Sequence, residues 1–193
     1  MARCWVGIDC GFTGGIAAII DGAPMPSLWE MPTTQYSVSR VRKGKRVEGT
    51  ETELATHRVV MLLEELRNYD PFVFIEKAQL RPATQNGDRK GQGVVSQAKF
   101  FGQFTELRGV LYAMKISFEP VHPATWKANI FHGQTRTNGD EESESAKEIA
   151  RQKAIQLFPV CAQKLSLKKS HGMAEALLIA EYGRRRNDVD APF

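Results

Sequence analysis

Short apolar runs, each closed by an acid or a turn, alternate along this chain with longer stretches at helical spacing. The first run, Val6-Gly7-Ile8, ends in Asp9; a turn holding Gly11, Gly14 and Gly15 leads into a second run, residues 16–20. Two apolar runs around a glycine-rich turn predict a β-hairpin. Ser27-Leu28-Trp29-Glu30-Met31, bracketed by Pro24, Pro26 and Pro32, predicts a third strand antiparallel to its neighbour. Residues 33–50 show no hydrophobic periodicity, and their Arg-Lys-Gly-Lys-Arg centre predicts an exposed, mobile loop.

Beyond it, Leu54, Val59, Leu62, Leu63 and Leu66 recur at helical spacing, which predicts an amphipathic helix over 52–68, stopped by Asp70-Pro71. Phe72-Val73-Phe74-Ile75 is apolar throughout, the pattern of a strand buried on both faces, and it ends in Glu76. Residues 77–93 are polar and turn-rich; a loop this long inside a domain is usually functional. A helix follows over 94–114, then a strand over 116–121, and this strand–helix–strand order predicts parallel strands. His122-Pro123 starts a short helix. Another runs over 141–158 with Ile149, Ile155 and Leu157 toward the core, and a last one, capped by Ser170, reaches about Arg184.

At 193 residues the chain is large enough for one sizeable core. Residues 1–184 are expected to form a single domain, and 185–193 a flexible basic tail. With 42% hydrophobic and 25% charged residues, neither disorder nor a membrane class is favoured. The start of the chain reads as a strand, with no signal peptide, so a cytoplasmic location is expected. Cys4, Cys10 and Cys161 lack C-x-x-C spacing, which argues against a zinc site and a disulfide framework. The net charge of +4 is modest, but the cations cluster: Arg40, Arg42, Lys43, Lys45 and Arg46, then Lys164, Lys168 and Lys169, then Arg184 to Arg186. Clusters of this kind suit nucleic-acid phosphates, and any one of them also suits a solvated loop.

Asp9 and Glu76 close two apolar strands. If those strands are neighbours, their carboxylates converge at the carboxyl edge of the sheet, where open α/β folds place ligands. Asp9 alone reads equally as an Asx-turn. Glu175, with His171 one turn earlier, shares a helix face directed to the same edge. Clustered carboxylates repel, so their coexistence implies raised pKa values or bound cations. Hard oxygen donors favour Mg²⁺ or Mn²⁺, and two such ions can hydrolyse a phosphodiester without a covalent enzyme intermediate.

Gly7-Ile8-Asp9-Cys10-Gly11-x-x-Gly14, Phe74-Ile75-Glu76-Lys77, Pro123-Ala124-Thr125-Trp126-Lys127 and above all residues 167–183 resemble the RuvC-type Holliday-junction resolvases of the RNase H-like superfamily. The similarity runs in the same order over about residues 3–184 and looks closest to the chloroplast branch and related bacterial and phage proteins. The resemblance implies an α/β fold, a five-stranded mixed sheet with three antiparallel strands and then two parallel ones, flanked by helices. It also implies a homodimer making paired nicks across four-way DNA junctions, with two Mg²⁺ ions, replaceable by Mn²⁺, held by Asp9, Glu76 and Glu175. Many relatives place an aspartate where this chain has His171 or Gly172. His171 is therefore a departure, open between metal ligand, proton carrier and structural residue.

For DNA contacts the candidates are Leu80, as a wedge between bases, and Lys127, reaching a base edge or a phosphate. Lys168, Lys169, Arg42, Lys43, Lys45 and Arg46 are candidates for phosphates. Lys127 reads equally as a solvent-facing neighbour of a core Trp126. Phe100, Phe101 and Phe104 with Val94 and Val95 are the candidate dimer surface, or core. Two other classes stay open. An RNase H-like protein that binds nucleic acid without cutting would be separated by a cleavage assay. An actin-like or sugar-kinase-like ATP-binding protein would need a second glycine-rich hairpin, for which the chain is too short.

Overall fold

The computed structural model describes residues 2–42, 44–79, 94–131 and 142–187. Along the chain the elements run β1 (Cys4–Asp9), β2 (Gly15–Ile20), β3 (Ser27–Glu30), β4 (Thr33–Arg42), β5 (Lys45–Leu54), α1 (Thr56–Leu66), β6 (Pro71–Glu76), α2 (Val94–Ala113), β7 (Phe118–Val121), α3 (Pro123–Phe131), α4 (Glu142–Leu157) and α5 (His171–Asn187). β1, β2 and β3 pair antiparallel, and β1, β6 and β7 pair in parallel, giving the sheet order β3-β2-β1-β6-β7. This is the mixed five-stranded sheet expected of an RNase H-like fold.

Side-chain alternation divides the core into two layers. Val6, Ile8, Ile16, Ala18, Val73 and Ile75 pack against α1 and α2. Trp5, Ala17, Ile19 and Phe74 point the other way, onto α3, α4 and α5. By the same alternation Asp9, two residues on from Gly7, and Glu76, two on from Phe74, belong to the α5 face. No helix among the described residues is long and apolar enough to cross a membrane.

Residues 33–50 depart from the expected loop. β4 and β5 pair from Thr33↔Leu54 to Arg42↔Lys45 as a separate two-stranded ribbon. Its Thr, Val and Tyr content suits extended backbone, and Gly44, at φ 75°, takes the left-handed conformation that its turn requires. Most of the ribbon's side chains are exposed, so no apolar alternation marks it in the sequence. The helix after it consequently starts at Thr56, not 52, and Leu54 closes β5 as a buried residue.

Other differences are local. α4 buries Ala150 and Ala154, while Ile149 is 39% exposed, so small residues form its inner face. Phe104 is buried and belongs to the core, while Phe100 and Phe101 pack against the α1–α2 layer and are half-buried; the side chains of Val94 and Val95 lie outside the described residues. The Ser170 hydroxyl, expected as a helix cap, donates to the Lys164 carbonyl at 3.2 Å. Arg185 and Arg186 still belong to α5, where Arg184 and Arg185 pair with Glu181, and Arg186 pairs with Glu119 across to β7. The rest of the expected tail, 188–193, lies outside the described residues. All three cysteines are buried and free; burial pushes the Cys4 thiol up to about 12 and raises those of Cys10 and Cys161.

Candidate active site

Parallel pairing of β1 and β6 runs to Ile8↔Ile75, so the next residues, Asp9 and Glu76, stand side by side where the two strands end. Both are nearly buried, at 8% and 9% exposure, which denies their charges the solvation that a surface carboxylate enjoys.

α5 brings the third acid. Gly172, Ala176, Ala180 and Gly183 form a small-residue stripe on this helix, and it settles directly on the sheet. Gly172 bridges to Gly14 in the β1–β2 turn. A Cβ at Gly7 would collide with the backbone of Ala176 and Ala180, so only glycine lets helix and strand approach this closely. That approach places Glu175, near the start of α5, within electrostatic range of both strand-end acids.

Burial, then the charges of Glu175 and Glu76, hold the Asp9 carboxyl well above the usual carboxylate range, and Asp9 is hydrogen-bonded to Glu76. Glu76 is raised as well, by burial first and by Glu175 second; Lys127, Asp9 and Trp126 pull it partly back. Asp9 and Glu76 thus form a hydrogen-bonded pair in which both carboxyls resist ionisation. Two of the opposing partners come from α3. Trp126 Nε1 donates to Glu76 Oε1 at 3.3 Å, and Lys127 Nζ lies 3.2 Å from Glu175 Oε1. The first turn of α3 is fixed by His122, whose Nδ1 accepts the Ala124 N–H at 3.2 Å and whose Nε2 pairs with Gln79 just past β6.

His171 opens α5, and its Nδ1 lies 3.2 Å from the Lys168 carbonyl. A carbonyl can only accept, so Nδ1 carries the proton and Nε2 keeps a lone pair for a metal or a proton. Lys168 and Lys169 form the single helical turn before α5, with Lys169 3.6 Å from Glu30. Lys45 and Arg46 sit on the exposed ribbon. Arg42 ends β4, and its side chain, like Lys43 and Leu80, lies outside the described residues. The structure thus brings Asp9, Glu76, Glu175 and Lys127 together and puts the ribbon cations on a separate element. The sequence reading of Trp126 as a core neighbour of Lys127 gave it no part in the site; it is core, and it also bonds an acid. Its place just after a strand at the acidic edge, next to a lysine, was the available signal.

Among the described residues no three His, Cys, Asp or Glu side chains already converge as a ready metal cage. Asp9 and Glu76 hold each other, and Glu175 holds Lys127. The donor set nonetheless fits a hard divalent cation. Among the described residues Lys127 is the ammonium paired at this edge, and Asp9 and Glu76, raised by burial first and by neighbouring carboxylates second, are groups whose ionised form a cation would favour.

No protein-family model and no curated protein sequence matches the chain. Two solved structures of RuvC from Thermus thermophilus are similar in three dimensions. One, in complex with a Holliday junction substrate, is 14% identical with a TM-score of 0.45, over 96% of this chain and 97% of that one. The other is 18% identical with a TM-score of 0.43, over 95% and 96%.

Proposed function

We propose that this chain is a structure-selective endonuclease that cuts four-way DNA junctions by metal-dependent hydrolysis of phosphodiesters. The observation that carries the reading is the meeting of Asp9, Glu76 and Glu175 at the carboxyl edge of two parallel strands, with their charges only partly compensated. The motif order that resembles junction resolvases supports the choice of substrate.

Asp9, Glu76 and Glu175 would hold Mg²⁺ or Mn²⁺, two ions in the proposed state, which supply Lewis acidity to a water and to the departing oxygen. The remaining work falls to the chain itself. Asp9 and Glu76, whose carboxyls are raised by burial, would have to be ionised to serve as ligands. Lys127, on the same rim, offers its ammonium to the scissile phosphate's neighbourhood once Glu175 has another partner. His171 Nε2 is available as a ligand or to carry a proton. Lys168, Lys169 and the cations of the β4–β5 ribbon hold DNA backbone away from the reacting centre. Two symmetric nicks require two sites in matched orientation, and a homodimer supplies them. The half-buried Phe100 and Phe101 of α2 are its candidate surface.

The test is to incubate the purified protein with end-labelled four-way junction, linear duplex and RNA–DNA hybrid, with Mg²⁺ or EDTA, and to map the products. Paired nicks in the junction alone, only with Mg²⁺, are expected. Tight junction binding without cutting in any divalent ion would favour a non-catalytic binding protein, and cutting confined to the hybrid would make the substrate assignment wrong. Light scattering on the same samples should give twice the 21.6 kDa chain mass; a monomer on the junction contradicts the dimer.

A further inference from the structure

We propose that Trp126 is the positioning residue of this site, one side chain that sets both the carboxylate of Glu76 and the ammonium of Lys127. The inference rests on the reading that the three acids hold divalent cations. Trp126 is fully buried, among the largest side chains of the α3–α5 layer, and packs in the same core as Phe74, Ile130 and Leu177. A large flat side chain gripped in this way has no freedom to follow its partners. They must adapt to it.

Two contacts leave this ring toward the site. Its N–H donates to Glu76 Oε1 at 3.3 Å in a buried setting, and Lys127 Nζ lies 5.0 Å from the ring centroid while reaching Glu175 at 3.2 Å. Such a hydrogen bond is not automatic for a buried indole in this protein, because the buried Trp5 N–H has no partner among the described residues. The bond holds Oε1 of Glu76 from the core side, next to its contact with Asp9. The cation–π contact restrains a flexible ammonium beside Glu175. Adjacent residues on one helical turn therefore connect two of the three acids. Glu76 is presented to an incoming cation in a set geometry, with no need to find it for each binding event, and Lys127 is held beside Glu175.

Trp126→Phe keeps an aromatic ring and removes the donor, leaving a cavity where the rest of the indole sat. In the full-length protein this variant should melt a few degrees lower, stay folded at the assay temperature and keep the parent's junction KM. The Mg²⁺ concentration for half-maximal cutting should rise about tenfold, within the range for removing a partner that orients a ligand, and saturating Mg²⁺ should restore kcat. A Phe variant with the parent's Mg²⁺ dependence would overturn the proposal. A second measurement needs neither metal nor cleavage. With the indoles ¹⁵N-labelled, the Trp126 signal is assigned by its absence in Trp126→Phe. It should shift upfield in Glu76→Gln, whose neutral amide is the weaker acceptor, and move in Lys127→Gln, while the Trp5 and Trp29 signals stay in place. A Trp126 signal that ignores both substitutions would overturn the proposal whatever the cleavage assay shows. A responsive signal in a protein that never cuts would uphold the positioning role and put the failure on the nuclease reading.

Discussion

The raised carboxyls of Asp9 and Glu76, with burial as the first cause in each, govern the pH behaviour of the site. Both carboxyls sit above the ordinary range of about 4 in the folded chain, so over that window the folded state binds more protons than the unfolded one. Without cations, stability is highest below about pH 4 as far as this pair is concerned, and it falls as pH rises through the raised values. Asp9→Asn removes the conflict. In EDTA at pH 7 it should raise the melting temperature by about 2–4 °C, the size of a change of about 1 kcal/mol in a chain this long, with little effect at pH 4. Thermal denaturation at the two pH values checks this, and a lower melting temperature at pH 7 would mean that the pair stabilises the fold as it stands. His171 gives a second expectation. With Nδ1 tied to the Lys168 carbonyl, only Nε2 can serve chemistry. His171→Ala should cut slowly at unchanged junction affinity, and His171→Asp should recover part of the rate in Mg²⁺. An alanine variant as fast as the parent would reduce His171 to a tie at the start of α5.

Among the elements, the exposed β4–β5 ribbon and the deeply seated α5 show opposite uses of sequence. The ribbon's distal pairs, Arg40↔Val47, Val41↔Arg46 and Arg42↔Lys45, concentrate positive charge at its tip, while Glu48, Glu51 and Glu53 lie toward its base. A two-stranded ribbon is thin enough to enter the major groove of a duplex arm. Lys45→Glu with Arg46→Glu should weaken junction binding without changing the melting temperature. The slope of log affinity against log salt should fall by about 2, near 0.9 for each phosphate that the ribbon no longer neutralises. Unchanged salt dependence would remove the ribbon from the interface. The ribbon itself was hidden in the sequence, because a strand pair with both faces wet carries no apolar alternation; the Val, Thr and Tyr residues around Lys43-Gly44 were the only trace. α5 was legible because its Leu177, Leu178 and Ile179 are all buried. Its closeness to the sheet, set by Gly172, Ala176 and Ala180 against Gly7 and Gly14, was not, since small residues are silent in a hydrophobic pattern. Asp9 and Glu76 were legible for a simpler reason: each ends an apolar strand, and parallel register set them side by side.

Taken as a whole, the molecule joins an acidic edge inside a two-layered core to a basic ribbon outside it. In the proposed function the inner part would hold the chemistry and the outer part DNA, so cutting and binding should come apart on mutation. Lys127 is the exception, because it sits within the acidic edge and balances Glu175. The most direct test measures both properties on one four-way junction: single-turnover cutting rates across a Mg²⁺ titration, and affinity in Ca²⁺ or EDTA, for the parent and for Asp9→Asn, Glu76→Gln and Glu175→Gln. Each substitution should take cutting below detection while affinity stays equal to the parent's or improves, since each lowers the negative charge facing a phosphate. A variant that still cuts at the parent's rate would contradict the assignment of these three carboxylates as the centre of the reaction.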